Sequence, residues 1–500
     1  MNAKVTRREA LKVAAGAAIG GTAALSTAKR GRAAESTPKS RPPNIVFILA
    51  DDLGYGDLGC YGQQRIRTPH LDQMAAEGMR FTQAYAGSTV CAPSRCCLMT
   101  GLHTGHARVR GNARVPLLPD DVTIAELLED AGYATGIIGK WGLGEPETTG
   151  IPNRQGFDEW FGYLNQRNAH NYYPPFLWRN EKKVLLEGNL GPGEDAYELY
   201  SRDAAKRQSG PDGSRKAYSH DLFAEDALEF VRRHHRKPFF LYLAYTIPHA
   251  NNELGGVKRD GMEVPDYGPY ADESWPAPQK GHAAMITRMD RDVGKLMGVL
   301  KDLGIDRDTV VFFSSDNGPH REGGAKPDFF GSSGLLRGIK RDLYEGGIRV
   351  PTLARWPGKI KPGSVSDQVW AFWDFLPTAA ELAGAKPPSN IDGISIRPAL
   401  LGKPQRQHEY LYWEFHEGPS KQAVRMGDWK AVRLAPSRPI ELYDLRTDIG
   451  EKHNVAKQHP DVVAKVEAIL QSARTPSKHW PLRDRKRPKK SKSKKRKVST

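Results

Sequence analysis

Residues 44–52 read NIVFILADD, an apolar run closed by two aspartates. A strand with one wet face alternates polar and apolar residues; a run without alternation suits a strand covered on both faces, as in a parallel sheet. Comparable runs recur at 133–138, 239–245 and 309–314. Segments with helical spacing lie between them. Residues 122–130 put Ile124, Leu127 and Leu128 on one face; 220–234 do so with Phe223, Ala227, Phe230 and Val231, and 284–303 with Met285, Met289, Val293, Leu296 and Leu300. Strands alternating with helices predict an α/β sheet with helices on both faces.

Past this body the pattern changes. Pro/Gly/Lys-rich stretches near 357–363 and 384–393 precede short runs at 409–414, 421–432 and 440–443, which suggest a small antiparallel sheet, and a helix follows at 459–473. The chain therefore divides into a leader and linker at 1–41, a main body at 42–385, a C-terminal subdomain at 386–482 and a low-complexity basic tail at 483–500, read as disordered. With 500 residues, 39% of them hydrophobic, 50 glycines and 36 prolines, the composition fits a large core joined by many tight loops and excludes collagen-like and coiled-coil chains.

The formal charge of +16 belongs to the ends. Residues 1–41 carry nine Lys/Arg against Glu9 and Glu35, and 483–500 carry eleven against Asp484, so the chain between is nearly neutral. A nucleic-acid-binding body loses its main support. Near the N-terminus, Thr6-Arg7-Arg8-Glu9-Ala10-Leu11-Lys12 sets a twin arginine before a weakly apolar Ala/Gly-rich run at 13–25, too short to span a bilayer. This resembles a twin-arginine (Tat) export signal, with Ser26-Thr27-Ala28 as one cleavage candidate. It places the mature chain in the periplasm or outside the cell, delivered by the Tat machinery, with no transmembrane anchor.

The chemistry-bearing residues stand where the apolar runs end. NIVFILA leads into Asp51-Asp52, the run at 309–314 into Asp316-Asn317-Gly318, the run at 133–138 into Gly139-Lys140, and the run at 239–245 into Pro248-His249. Open α/β sheets bind ligands at the carboxyl edge of their strands, so these groups are expected to converge. Three carboxylates and an amide oxygen make a hard, oxygen-only donor set, favouring Ca²⁺ or Mg²⁺ over zinc or copper. Each residue alone also fits a turn, a helix cap or a solvated loop position. Four cysteines are too few for a disulfide scaffold, and Cys91, Cys96 and Cys97 lack the paired spacing of a zinc site.

Residues 91–101 read CAPSRCCLMTG, and the Cys91-x-Pro93-x-Arg95 pattern is unbroken. With ADDLGYGDLGCYG, GYATGIIGKW, SSDNG, LRGIKRDLYEGGIRVP and ELYDLRTD in the same order, the chain from about residue 44 to 474 resembles the formylglycine-dependent type I sulfatases of the alkaline phosphatase superfamily. The resemblance implies a large mixed, mainly parallel sheet sandwiched by helices, with a small C-terminal antiparallel sheet plus helix. It makes residues 42–385 the catalytic domain, and Cys91 a nucleophile and metal ligand once a maturase has converted it to formylglycine. Asp51, Asp52, Asp316 and Asn317 fall on calcium positions. Arg95 steadies the modified residue, Lys140 and Lys340 clamp sulfate oxygens, and His249 protonates the leaving oxygen.

The family reads G-K-W-H-L-G where this chain has Gly139-Lys140-Trp141-Gly142-Leu143-Gly144, so a histidine assigned to the base role is missing. His170, His320 or water could replace it, or turnover is impaired; the two histidines could also read sugar hydroxyls. The aromatic-rich stretch 157–178 is either a wall for stacking sugars or core. The expected activity is exported, calcium-dependent hydrolysis of an aryl or carbohydrate sulfate monoester. Its rivals are a phosphate or phosphonate monoester hydrolase on the same scaffold and a non-catalytic binder of sulfated glycans.

Overall fold

The computed structural model describes residues 41–189 and 216–485. The twin-arginine segment and the tail beyond Arg485 lie outside the described residues. Along the chain come β1 (Asn44–Ala50), β2 (Met79–Phe81), β3 (Ala84–Tyr85), β4 (Ala134–Lys140), β5 (Glu159–Tyr163), β6 (Phe176–Arg179), β7 (Lys182–Leu185) and β8 (Phe239–Ala244). They are followed by β9 (Thr309–Ser315), β10 (Thr352–Arg355), β11 (Ser364–Ser366), β12 (Trp370–Ala371), β13 (Leu411–Phe415), β14 (Lys421–Met426), β15 (Trp429–Arg433) and β16 (Glu441–Asp444). Ten of them form one sheet in the order β11-β2-β10-β9-β1-β8-β4-β5-β6-β7. The run from β9 to β5 is parallel throughout, while β10, β6 and β7 pair antiparallel with their neighbours.

The unalternating runs are strands covered on both faces. Ile45, Phe47 and Leu49 of β1 join a core layer with the helices Cys91–Thr100, Ile124–Asp130 and Phe375–Ala383. Val46, Ile48 and Ala50 point the other way, into a layer with Pro69–Glu77, Ser219–His234 and Ala277–Asp302. The last of these begins earlier than its apolar spacing suggests, because Pro278 sits in its first turn, where a missing N–H leaves no bond unmade. The aromatic stretch 157–178 is mostly core: Phe157, Trp160, Phe161, Tyr163, Tyr172 and Phe176 are all buried.

β13 to β16 form the expected antiparallel sheet. The run at 421–432 divides into two strands about Gly427-Asp428, with Met426 opposite Trp429 and Gly427 at φ 57°; a two-residue turn of this kind needs positive φ. One face of this sheet packs Tyr412, Val424 and Leu442 on Val462, Val466 and Leu470 of the helix Pro460–Ser472. The other sends Leu411, Trp413 and Phe415 into the main core, where Trp413 Nε1 donates to the Ala86 carbonyl at 3.0 Å. Among the described residues no helix is long and apolar enough to cross a membrane.

Candidate active site

The carboxyl ends of β1, β4 and β9 bring Asp51, Asp52, Lys140, Asp316 and Asn317 together, as their places after apolar runs predict. Asp52 takes a left-handed φ of 67°, turning the chain sharply, and its N–H donates to Asp316 Oδ1 at 3.1 Å. Leu53 N–H then donates to Ser315 Oγ at 2.9 Å, tying the β1 end to β9. Gly139, at φ 110°, lies so close to the neighbouring strand that a Cβ would sit 1.9 Å from the Ala244 carbonyl oxygen, so only glycine lets Lys140 emerge here.

Cys91 opens the helix Cys91–Thr100. Its thiol donates to Asp51 Oδ1 at 3.3 Å. Arg95, one turn along, is fully buried and bonds Asp316 Oδ2 through Nε at 3.1 Å and Nη2 at 2.9 Å, and the Lys140 carbonyl through Nη1 at 2.6 Å. Its direct partners are thus the acids and backbone that surround Cys91. Lys140 Nζ donates to Asp51 Oδ2 at 2.6 Å, and Lys340 Nζ donates to Asp52 Oδ2 at 2.7 Å and to His249 Nε2 at 3.0 Å. The other ring nitrogen, Nδ1, lies 2.7 Å from the Ala250 carbonyl, which fixes the Nδ1–H tautomer and leaves Nε2 to accept. None of the nine residues proposed for catalysis or metal binding is more than 5% exposed.

So many buried charges displace one another's titration. Burial and then Asp51 push the Asp316 carboxyl up to about 7. Burial also opposes the charge on Asp51, but Lys140, His249 and Arg95 outweigh it and hold that carboxyl well below its ordinary value. Burial, followed by Asp316 and Asp51, raises the Cys91 thiol. Burial and Lys340 depress His249. Asn317 uses Nδ2 on Asp52 Oδ1 at 2.7 Å and on the Gly318 carbonyl at 2.9 Å, while its buried Oδ1 has no hydrogen-bond donor. An unpartnered amide oxygen among three carboxylates is the donor set of a hard cation, so these residues fit calcium.

The two further histidines part company. His320 spends both ring nitrogens on the backbone, Nε2 on the Pro248 carbonyl at 3.0 Å and Nδ1 on the Glu322 N–H at 3.0 Å. It offers no free nitrogen for a base or a sugar hydroxyl. His170 stacks on His249, ring centroids 4.5 Å apart and planes at 15°, and its Nδ1 meets Glu253 Oε2 at 3.1 Å. Glu322 also belongs to the site, bonding Lys340 Nζ at 3.3 Å and Arg341 Nη1 at 2.6 Å. Its only sequence signal is a carboxylate shortly after Asp316-Asn317. Cys96 and Cys97 are buried core residues of the helix that Cys91 opens and form no disulfide.

Residues 43–385 match the Sulfatase family model, and 338–475 match that of the N-sulphoglucosamine sulphohydrolase C-terminal region. The chain belongs to the sulfatase family. Arylsulfatase A of Homo sapiens is 36% identical, covering 86% of this chain and 87% of the human protein. The N-acetylgalactosamine-6-O-sulfatase of Bacteroides thetaiotaomicron is 31% identical over 87% of this chain and 94% of its own length. Among solved structures, Ps i-CgsB in complex with k-i-k-neocarrahexaose superimposes with a TM-score of 0.72 at 29% identity, covering 87% of this chain and 93% of that one. This sulfatase is accordingly a sulfuric ester hydrolase with an alkaline phosphatase-like fold.

Proposed function

We propose that this sulfatase is an exported enzyme that removes sulfate from a sulfated carbohydrate, using calcium and a formylglycine made from Cys91. The observation that carries the reading is the convergence of Cys91, three carboxylates, an amide oxygen, two lysines and His249 in one buried cluster at the sheet's carboxyl edge. A cysteine thiol donating to a carboxylate is poorly placed to become the thiolate that cysteine nucleophiles need, which favours its conversion over its direct use. A formylglycine at position 91, once hydrated, would offer two hydroxyls on one carbon, supplying a nucleophile for sulfur and a way to release sulfate without hydrolysing a sulfated enzyme. Asp51, Asp52, Asp316 and Asn317 would hold calcium, which would supply Lewis-acid chemistry there.

The side chains supply the rest. The N-terminus of the Cys91–Thr100 helix favours a bound anion. Lys140 and Lys340 hold fixed positive charge beside Asp51 and Asp52, stabilising the charge that grows on the sulfate oxygens and leaving group. His249 Nε2, which accepts from Lys340 Nζ, takes up a proton there and passes it to the leaving oxygen, and the Ala250 carbonyl keeps the ring oriented. Relatives named for N-acetylgalactosamine 6-sulfate and a complex with a neocarrahexaose support a sulfated sugar. The test compares release of sulfate from N-acetylgalactosamine 6-sulfate and 4-nitrophenyl sulfate with hydrolysis of 4-nitrophenyl phosphate, alongside the mass of the peptide bearing residue 91. Preferred sulfate release and a formylglycine mass are expected. Preferred phosphate hydrolysis, or full activity with an unmodified cysteine, would overturn the reading.

A further inference from the structure

A cavity of about 240 Å³ is walled by Asn112, Arg114, Gly142, Glu145, Gln166 and Arg167 among others. Two of its walls are continuous with the machinery already described. Asn112 Oδ1 accepts the N–H of Ala92, the residue after Cys91, at 3.0 Å, and Gly142 follows Lys140 by two residues. Pockets for drug-sized ligands run to roughly 300–1,000 Å³, so this one takes a sugar substituent or a single ring rather than an oligosaccharide.

Its lining is rich in donors. Gln166 Nε2 is buried with no acceptor, although a buried amide N–H is costly to leave unmet. Gly142 makes room for that amide: its φ is 81°, and a Cβ there would stand 2.5 Å from Gln166 Nε2 and 2.8 Å from Cδ. Arg114 is 74% exposed and lies 3.8 Å from Glu145. The Glu145 carboxylate is already engaged, since Asn165 Nδ2 donates to it at 2.7 Å. Arg167 pairs with Glu253 at 2.9 Å, the same carboxylate that meets His170. With Arg167 paired to Glu253 and Glu145 bonded by Asn165, the donors left to the space are the Arg114 guanidinium and the unmet amide N–H, so it suits a group that only accepts hydrogen bonds and can pair with a guanidinium.

The geometry points to a second recognition site in which Gln166 and Arg114 bind an oxyanion, a carboxylate or a second sulfate, on the sugar that bears the scissile sulfate. This rests on the carbohydrate reading above and gives it a substrate class: sugars with two anionic groups rather than one. The glycine at 142 is then a specificity feature, because it admits Gln166 to the cavity wall.

The test measures kcat/KM for the wild type, Gln166→Leu, Arg114→Ala and Gly142→Ala on four substrates. These are 4-nitrophenyl sulfate, N-acetylgalactosamine 6-sulfate, D-glucosamine 2-N,6-O-disulfate and a 6-sulfated disaccharide containing a uronate; melting curves confirm that each variant is folded. The wild type should prefer one of the two doubly anionic sugars over the singly sulfated one, and which of them responds identifies sulfate or carboxylate as the occupant. Arg114→Ala should lower the ratio of kcat/KM on that sugar to kcat/KM on 4-nitrophenyl sulfate by about ten- to hundredfold, the range expected for losing a charge-assisted hydrogen bond. Gln166→Leu and Gly142→Ala should lower it in the same direction. Unchanged ratios in Arg114→Ala and Gln166→Leu, or no wild-type preference for a second anion, would overturn the assignment. A wild type that releases sulfate from none of the four would instead overturn the sulfatase reading on which it rests.

Discussion

Asn317 ties the proposed cation site to a measurable stability. Its Oδ1 is buried and unbonded while Nδ2 is held by Asp52 and Gly318, so the amide cannot turn to satisfy the oxygen without breaking two bonds. A cation bound there stabilises only the folded state, by about 3 kcal/mol at a concentration hundredfold above its Kd. Exhaustive chelation should therefore abolish turnover and lower Tm, on the order of a few degrees for a chain of this length, with calcium restoring both. No change in either would remove calcium from the site. His249 makes a different prediction. If it protonates the leaving oxygen, His249→Ala should cost about 10²- to 10⁴-fold in kcat on a sugar sulfate and far less on 4-nitrophenyl sulfate, whose phenolate leaves without a proton; equal losses would exclude the acid role. The convergence of Asp51, Asp52, Asp316 and Asn317 was legible because each stands at the end of an apolar run. Glu322 and Gln166 were not, since a lone carboxylate or amide in a loop carries no periodicity, and only the fold brings Glu322 to Lys340.

Among the elements, the parallel strands were the most legible, because burial on both faces leaves an unmistakable apolar run, and their ends then located the site. The segment that follows the Cys91–Thr100 helix was less so. Gly101 caps that helix, its carbonyl accepting from the N–H groups of Asp392 at 2.9 Å and Gly393 at 3.2 Å, while Asp392 Oδ2 accepts from His103 N–H at 2.9 Å. His106 Nδ1 meets the same carboxylate at 2.9 Å. Nothing in the local spacing links residues 101–106 with Asp392, which lies far along the chain. Burial, against the pull of Asp392, lowers His103 from 6.5 to about 4; Glu414 also favours its charged form, whereas His106 and Arg110 oppose it. The unfolded chain therefore takes up this proton near pH 6.5 and the folded chain does not until about 4. The associated stability is complete above pH 6.5 and is lost as pH falls toward 4, up to about 3 kcal/mol. Asp392, itself held below its ordinary value despite burial by His106 and His103, adds a loss at lower pH. His103→Gln should flatten the decline of Tm between pH 6.5 and 4.5; parallel curves for variant and wild type would show that His103 does not drive it.

At the scale of the whole molecule, fold class followed from the alternation of strands and helices, whereas the join between the main sheet and the β13–β16 sheet depends on contacts that no local pattern announces. Lys430 Nζ, fully buried, bonds Glu345 at 2.8 Å and Glu451 at 3.4 Å, and Arg110 Nη1 bonds Glu414 at 2.9 Å. The chain's charge is arranged quite differently. The described part of the tail begins in place, with Arg483 N–H donating to Ser420 Oγ at 3.0 Å and Asp484 Oδ1 accepting from Ser437 N–H at 2.7 Å. Beyond Arg485 come nine further Lys/Arg between Lys486 and Lys497, with no acidic residue among them. Such a run attached to a nearly neutral body would hold a polyanionic substrate near the enzyme without touching its chemistry, raising the local concentration of sulfate esters. The attraction is screened over about 10 Å at 0.1 M salt and about 3 Å at 1 M. Truncation after Arg485 should thus raise KM on a sulfated polysaccharide roughly tenfold at low ionic strength, leave 4-nitrophenyl sulfate turnover unchanged, and make no difference at 1 M salt. Identical polymer kinetics with and without residues 486–500 at low salt would mean that the tail is a solvated extension with no part in substrate capture.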